Sequence, residues 1–451
     1  MNFTALRDGI KEADLYRYMG KIEKIIGMTI EASGPICNIG DVCRIYQKDR
    51  KDYVYAEVVG FNQEKVLLMP YADIEGIGPG SIVDNTGDKL TIKVGDELIG
   101  RVVDAIGNPI DGGDENQCTD TVSIGGSAVN PLTRPRIDTP MSMGVKAIDG
   151  MLTVGKGQRI GIFAGSGVGK STLMGMIARN VKADLNVIAL VGERGREVRE
   201  FIDKDLGEEG MARTVLVVAT SDQPAMMRSK CALTATAIAE YFKDKGKDVL
   251  LMMDSLTRFA MAGREIGLAI GEPPIARGYT PSIYSQMPKL LERAGNFEEG
   301  SITGIYTVLV EGDDTNEPIS DTVRGILDGH IVLSRQVAMR NHYPAIDILG
   351  SISRLMTEIA DPHQIELAGK IRNLLSLYNS NYDLISIGAY KKGTNPALDE
   401  AIGKIDKINN FLTQEIKESF VLEEVMPLME EALRYEGLYS YRFSQWLQHQ
   451  G

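Results

Sequence analysis

Apolar and polar positions keep three different rhythms along the chain. Across residues 19–95, short apolar runs recur, such as Lys24-Ile25-Ile26-Gly27-Met28-Thr29-Ile30 and Asp52-Tyr53-Val54-Tyr55-Ala56-Glu57-Val58-Val59-Gly60. Gly, Asp and Asn punctuate them, which predicts the strands of a small antiparallel barrel or sandwich. Over residues 96–360 the runs lengthen into Ile160–Phe163, Val187–Val191, Val215–Val218 and Val249–Met253. Continuous apolar strands of this kind are buried on both faces, and the helical stretch Pro224–Lys243 lies between two of them. A mostly parallel sheet covered by helices follows. Residues 361–451 carry helical stretches, Pro362–Leu377 and Pro396–Val425, and few strand-like runs. Asn395 stands at the N-cap place and Pro396 at the first helical position of the second stretch. At the other end, residues 1–18 form a short amphipathic pattern with Phe3, Leu6 and Ile10 on one face. A helix this short is marginal alone, so it caps its own domain or docks on a partner. Tyr441–Gly451 carries no functional signal, and no internal repeat or low-complexity tract is present.

Length sets the scale: 451 residues suggest two to four domains. Lys and Arg total 49 against 62 Asp and Glu, a net charge of −13. That balance argues against a broad nucleic-acid surface, which needs dense positive charge, but leaves room for a local phosphate site. No run of about 18 uncharged apolar residues occurs, and the N-terminus lacks the basic-then-apolar layout of a secretory signal. Cys37, Cys43, Cys118 and Cys231 are scattered without a C-x-x-C pair, so free thiols in a reducing, cytoplasmic compartment are expected.

The strongest chemical signal is Ile160-Gly161-Ile162-Phe163-Ala164-Gly165-Ser166-Gly167-Val168-Gly169-Lys170-Ser171-Thr172-Leu173. An apolar strand runs into a glycine-rich loop, then Gly-Lys-Ser, then an apolar helix, which is a phosphate-binding loop in its required setting. The backbone N–H groups of Gly165, Ser166, Gly167, Val168 and Gly169 would curl around the β-phosphate, and the helix N-terminus would add donors and partial positive charge. Lys170 would reach the β- and γ-phosphates, and Ser171 would place its hydroxyl on Mg²⁺. Thr172 follows on the helix as a weaker candidate. One departure is visible: Ala164 stands where the eight-residue pattern begins with Gly.

Asp254 ends the apolar run Val249–Met253, where such sites keep the carboxylate that holds magnesium-bound water. Many nucleoside triphosphatases place a Glu directly after it, but the next residue here is Ser255. Ligands in such sheets sit at the carboxyl ends of the strands, and Val187–Val191 leads into Gly192-Glu193-Arg194-Gly195-Arg196-Glu197. Glu193 is therefore the candidate base that orients the attacking water. Arg194 and Arg196 could stabilise it or contact a neighbouring chain.

Further runs make the pattern specific. They are Glu193-Arg194-Gly195-Arg196-Glu197-Val198, Gly271-Glu272-Pro273-Pro274-Ile275-Ala276-Arg277-Gly278-Tyr279, Leu290-Leu291-Glu292-Arg293-Ala294-Gly295, Asp328–Arg335, Tyr343-Pro344-Ala345-Ile346-Asp347 and Gly100–Gly112. With them the chain resembles the ATPases of type III protein export, relatives of the catalytic subunits of rotary F- and V-type ATPases, over roughly residues 20–440. It looks most like the flagellar branch. The resemblance implies an N-terminal β-barrel, a central RecA-like nucleotide-binding domain and a C-terminal helical domain. It implies a homohexamer that hydrolyses ATP with Mg²⁺ at subunit interfaces. By the family pattern Arg354, in Ser351-Ile352-Ser353-Arg354, is an arginine finger acting in trans, and Tyr343 stacks on adenine. The implied partners are a stator-like negative-regulator dimer at the N-terminal helix, a coiled-coil stalk in the central channel, the export gate and chaperone–substrate complexes. Contact with the inner face of the cell membrane would be peripheral. The Pro- and Gly-rich segment 270–281, a stiff irregular loop, would face the channel and the stalk.

Four functions compete on this reading. A non-hydrolysing regulatory subunit is disfavoured by a complete phosphate loop together with Glu193 and Arg354. An RNA-tracking motor is disfavoured by the net charge of −13. A rotary ATP synthase subunit is opposed by the export-type Gly-Glu-Pro-Pro and Glu-Arg-Gly-Arg-Glu-Val runs. An export ATPase, of the flagellar or the virulence-injectisome kind, fits best.

Overall fold

The computed structural model describes residues 18–434 except 49–50, 127–128 and 311–316. The N-terminal amphipathic segment, but for Tyr18, and the aromatic tail 441–451 lie outside the described residues.

Six antiparallel strands (Gly20–Ile26, Thr29–Ser33, Asp41–Tyr46, Tyr53–Asn62, Lys65–Pro70 and Ile82–Lys89) close into a barrel. Inward residues alternate along each strand, so Ile22, Ile30, Ala32, Ile45, Val58, Leu68 and Val83 fill a core of their own. The apolar run 24–30 reads as one strand but is a hairpin. Gly27, at φ 57°, turns the chain between Ile26 and Thr29, a backbone region glycine enters without steric cost. The barrel is fastened to the rest of the molecule by apolar packing, through Val42, Met69 and Tyr71, and by polar contacts. Lys230 of helix Ala225–Asp244 pairs with Glu57 at 2.7 Å, and the Tyr71 hydroxyl donates to the same carboxylate at 2.5 Å.

The central domain is built on a sheet whose strands lie in the order Ile346–Ser353, Gly329–Leu333, Arg159–Ala164, Ser301–Leu309, Asp248–Asp254, Leu185–Glu193, Thr214–Thr220 and Val102–Asp104. Neighbours are parallel throughout, apart from the antiparallel edge strand Ile346–Ser353 and the short Gly295–Asn296. The continuous apolar runs are explained by burial on both faces. Val187, Ala189 and Val191 point into one core, Ile188 and Leu190 into the other. The first core is covered by helices Ala225–Asp244, Leu256–Ala269 and Pro281–Leu291. The second is covered by Lys170–Asn180 and by the C-terminal helices, through residues such as Leu367, Ile371, Ile408 and Met429.

The C-terminal region holds helices Pro362–Ser380, Tyr382–Ser386, Pro396–Leu412 and Leu422–Leu433. Asn395 caps the third as expected, accepting from Ala397 N–H and Leu398 N–H. The stretch Pro396–Val425, however, is not one helix. It stops at Leu412 because the buried Gln414 is drawn to the central domain. Its side chain accepts from the Lys146 N–H at 2.9 Å and donates to the Gly144 carbonyl at 2.9 Å, and its own N–H donates to the Tyr343 carbonyl at 3.0 Å. Segment 270–281 is irregular save for one turn at Ala276–Gly278, and helix resumes at Pro281. All four cysteines are free thiols. Among the described residues no helix is long and apolar enough to cross a membrane.

Candidate active site

Three parallel strands end at one cleft of about 970 Å³. Arg159–Ala164 delivers the phosphate loop, Leu185–Glu193 delivers Glu193 and Asp248–Asp254 delivers Asp254. Ala164 is still strand, with no unusual backbone angle, so the missing glycine costs nothing there. The unusual angles fall on Gly167 (φ 78°) and Gly169 (φ 87°), the latter capping helix Lys170–Asn180. Ser166, Gly167 and Ser171 are exposed to the cleft, whereas Val168 is buried in the second core. What Val168 offers a phosphate is therefore its backbone alone. Thr172 also lines the cleft.

Glu193 reaches the cleft through a bulge. Pairing with the neighbouring strand slips between Val191 and Glu193, and Gly192 adopts φ 68°. Bulges re-aim side chains in this way beside active sites. The Lys170 ammonium bonds Asp254 Oδ1 and stands 3.6 Å from Glu193 Oε1. Thr307 donates to the same Asp254 oxygen at 2.7 Å. Burial works against the charge on Lys170, but Asp254 and Glu193 outweigh it and hold its pKa above the ordinary value. Burial, and then the Asp254 charge, push Glu193 up to about 7 against the opposing pull of Lys170. Perturbed carboxylates of this sort suit proton handling near neutrality.

Tyr343 borders the same loop. Its ring lies 3.6 Å from where a Cβ on Gly169 would stand, and it is 44% exposed. Arg354 is elsewhere. Its N–H donates to the Asp328 carbonyl, and the Asp328 N–H donates to the Arg159 carbonyl at the start of the phosphate-loop strand. Five residue steps of strand separate Arg159 from Ala164, roughly 16 Å at the usual rise. The exposed Arg354 does not line the cleft of its own chain. Arg194 is exposed and pairs with Glu197 at 3.4 Å.

Two residues at the site carry little sign in the sequence: Arg258, which packs over Gly192 and lines the cleft, its buried Nε without a partner among the described residues, and Thr307. A polar residue inside the apolar strand Ser301–Leu309 was the available sign for Thr307. Arg258 follows Asp254 by four positions, and its helix is capped by Ser255, whose hydroxyl accepts from the Arg258 N–H. Loop 271–280 is nearer the site than its composition suggested, since Arg277 and Tyr279 also line the cleft.

Fold and cleft together define a phosphate-loop nucleoside triphosphatase with an N-terminal barrel and a helical C-terminal domain. The ATP synthase alpha/beta family nucleotide-binding domain matches residues 144–353, its beta-barrel domain matches residues 22–87, and the T3SS EscN ATPase C-terminal domain matches residues 360–431. The flagellum-specific ATP synthase of Bacillus subtilis is 58% identical over 425 residues, covering 94% of this chain and 97% of that protein. The type 3 secretion system ATPase of Xanthomonas euvesicatoria is 49% identical over 94% of this chain and 96% of its own. Among solved structures, the assembled ATPase EscN of the enteropathogenic E. coli type III secretion system superposes with a TM-score of 0.87 at 46% identity, covering 92% of this chain and all of that one. EscN in complex with its central stalk EscO gives a TM-score of 0.85. The chain belongs to the family of flagellum-specific and type III secretion ATPases, and it is an ATP hydrolase.

Proposed function

We propose that this chain works in the flagellar branch, as a ring of six identical subunits whose ATP hydrolysis at subunit interfaces energises protein export. The observation that carries this reading is the split of the catalytic set. Lys170 and Glu193 line one cleft with Asp254 buried against Lys170, while Arg354 stands a strand's length away on the sheet edge. A finger so placed serves the cleft of the next subunit, a head-to-tail contact that closes into a ring. The assembled state of EscN supports the ring, and the higher identity to the Bacillus protein supports the flagellar branch.

In this reading the loop N–H groups of Gly165 to Gly169 and the helix N-terminus bind the phosphates, and Lys170 exchanges its carboxylate partners for phosphate oxygens. Tyr343 stacks on the adenine. Ser171 and Asp254 offer a hydroxyl and a carboxylate, the hard oxygen donors that Mg²⁺ prefers. Among the described residues no group of three or more His, Cys, Asp or Glu could hold a metal unaided, which suits an ion bound by few side chains plus phosphates and water. Mg²⁺ would neutralise charge on the phosphates. Glu193 orients the water and accepts its proton, and Arg354 of the adjacent subunit offsets charge developing on the γ-phosphoryl oxygens, worth about 10³–10⁵ in rate.

The same reading extends to partners: a coiled-coil stalk at the channel, as the stalk complex of EscN supports, a negative-regulator dimer at the N-terminal helix, the export gate and chaperone–substrate complexes. It places the ring in the cytoplasm, peripheral to the inner face of the membrane, and assigns it no nucleic acid. The test is steady-state ATPase activity of the purified chain across a protein-concentration series. Specific activity that climbs as subunits assemble supports the shared site, and a constant specific activity from nanomolar upward with a strictly monomeric species opposes it.

A further inference from the structure

The edge strand that ends at Arg354 is irregular. Its neighbour pairs His330 with Ile352 and Val332 with Asp347, so four residues, 348–351, stand opposite the single Ile331. Such a bulge takes backbone groups out of the ladder, and each needs another partner. Part of the need is met locally. Asp347 Oδ1 accepts from the Leu349 and Gly350 N–H groups at 3.1 Å each, and the Ser351 hydroxyl donates to the Asp347 carbonyl and accepts from the Val332 N–H. Two of the bulge carbonyls are met from a different domain. Arg372, on helix Pro362–Ser380, donates from Nη1 to the Ile348 carbonyl at 2.5 Å and the Ser351 carbonyl at 3.3 Å. Its Nη2 donates to the Met151 carbonyl at 3.0 Å.

The strand end beyond the bulge is held from the same side. Ser353 donates to the Thr153 carbonyl at 2.8 Å and accepts from Gln158 at 3.1 Å. Gln364, one end of the same helix, donates to the Asp149 carbonyl and to the Thr153 hydroxyl at 2.8 and 2.9 Å. The side chain of Arg354, by contrast, has one hydrogen bond among the described residues, to the Arg324 carbonyl at 3.3 Å. Its position therefore depends on its backbone, which the Asp328 carbonyl and the Ser353 contacts hold on one side and the bulge leads into on the other.

We propose that Arg372 is a positioning residue for the arginine finger. Its planar, fixed fork of donors ties the helical domain to the bulge preceding Arg354, so the seat of that domain on the core sets where the finger stands in the neighbouring cleft. A displacement of the helical domain is thereby transmitted to a catalytic group of the next subunit. The inference rests on the reading of Arg354 as a finger in trans.

The experiment mixes full-length subunits. Arg372→Ala alone should lower kcat by up to about 10²-fold, the loss a misplacement of about 1 Å can cause, with the KM for ATP little changed. Mixed with Lys170→Ala, which has a dead phosphate loop but an intact finger, it should regain hydrolysis, because some interfaces then pair a sound loop with a sound finger. Arg354→Ala mixed with Lys170→Ala is the control and should be rescued in the same way. If the control is rescued and Arg372→Ala is not, Arg372 acts within its own subunit and the proposal is overturned. If neither mixture is rescued, the finger assignment itself fails and takes this inference with it. Arg372→Lys keeps the charge but cannot fork to three carbonyls, so it should share the kcat defect, and it serves in the mixtures if the alanine variant does not fold. A lysine variant with wild-type kcat would overturn the proposal.

Discussion

The ring of Tyr343 lies 3.6 Å from where a Cβ on Gly169 would stand, beside the residue that ends the phosphate loop and starts its helix. A half-exposed aromatic there offers a face to a base whose phosphates lie in the adjoining loop. Base–aromatic stacking contributes about 1–3 kcal/mol, so Tyr343→Ala should raise the KM for ATP about tenfold with kcat nearly unchanged. Tyr343→Phe should stay close to wild type. Steady-state kinetics of the two variants check this, and an unchanged KM in the alanine variant would refute the stacking role.

Lys170→Ala removes the cation that lies between Asp254 and Glu193 as well as the group meant for the phosphates. Tight nucleotide binding and turnover should both disappear. Titration with a fluorescent ATP analogue measures the first and phosphate release the second.

Glu193→Gln is close to isosteric but cannot take a proton. ATP binding should persist while hydrolysis is lost. The wild-type pH profile follows from burial and Asp254 raising this carboxyl to about 7. Below that pH Glu193 is neutral and inactive as a base, and above it the carboxylate is present. Thus kcat/KM, which reports groups of the free enzyme, should rise between pH 6 and 8 with a midpoint near 7. A flat profile over that range would remove Glu193 from the role.

Arg354→Ala should abolish turnover yet leave the melting temperature of the isolated subunit unchanged, because the side chain is exposed and holds a single backbone carbonyl. Thermal unfolding and ATPase assays on the same sample separate the two effects.

Lys230→Met breaks the pair with Glu57 between helix and barrel, both side chains being largely shielded at 13% and 12% exposure. Leaving that carboxylate without its cation should cost about 3 kcal/mol, the low end for a buried pair. Tyr71, whose hydroxyl is pushed up by burial and by Glu57, still donates to it. Chemical denaturation should show the barrel loosening first.

Local chemistry was legible in the sequence and long-range chemistry was not. The phosphate loop announces itself because one continuous stretch supplies strand, glycines, lysine and helix. Following apolar strands to their ends leads to Asp254 and Glu193, which the fold brings beside Lys170. Arg258, Thr307 and Arg372 gave no comparable sign, since each acts on a partner chosen by the fold. The break at Thr413 is similar: Gln414 bonds groups 268 and 270 positions away, and nothing within the helix foretells it. The hairpin at Gly27 was hidden because apolar residues flank the turn on both sides.

Because the barrel's first strand pairs with its last, it presents no unsatisfied strand border. Copies of this domain crowded side by side therefore have no open ladder on which to exchange strands or fuse. Such closure leaves the outer side chains, rather than open backbone, as what this domain offers a neighbour.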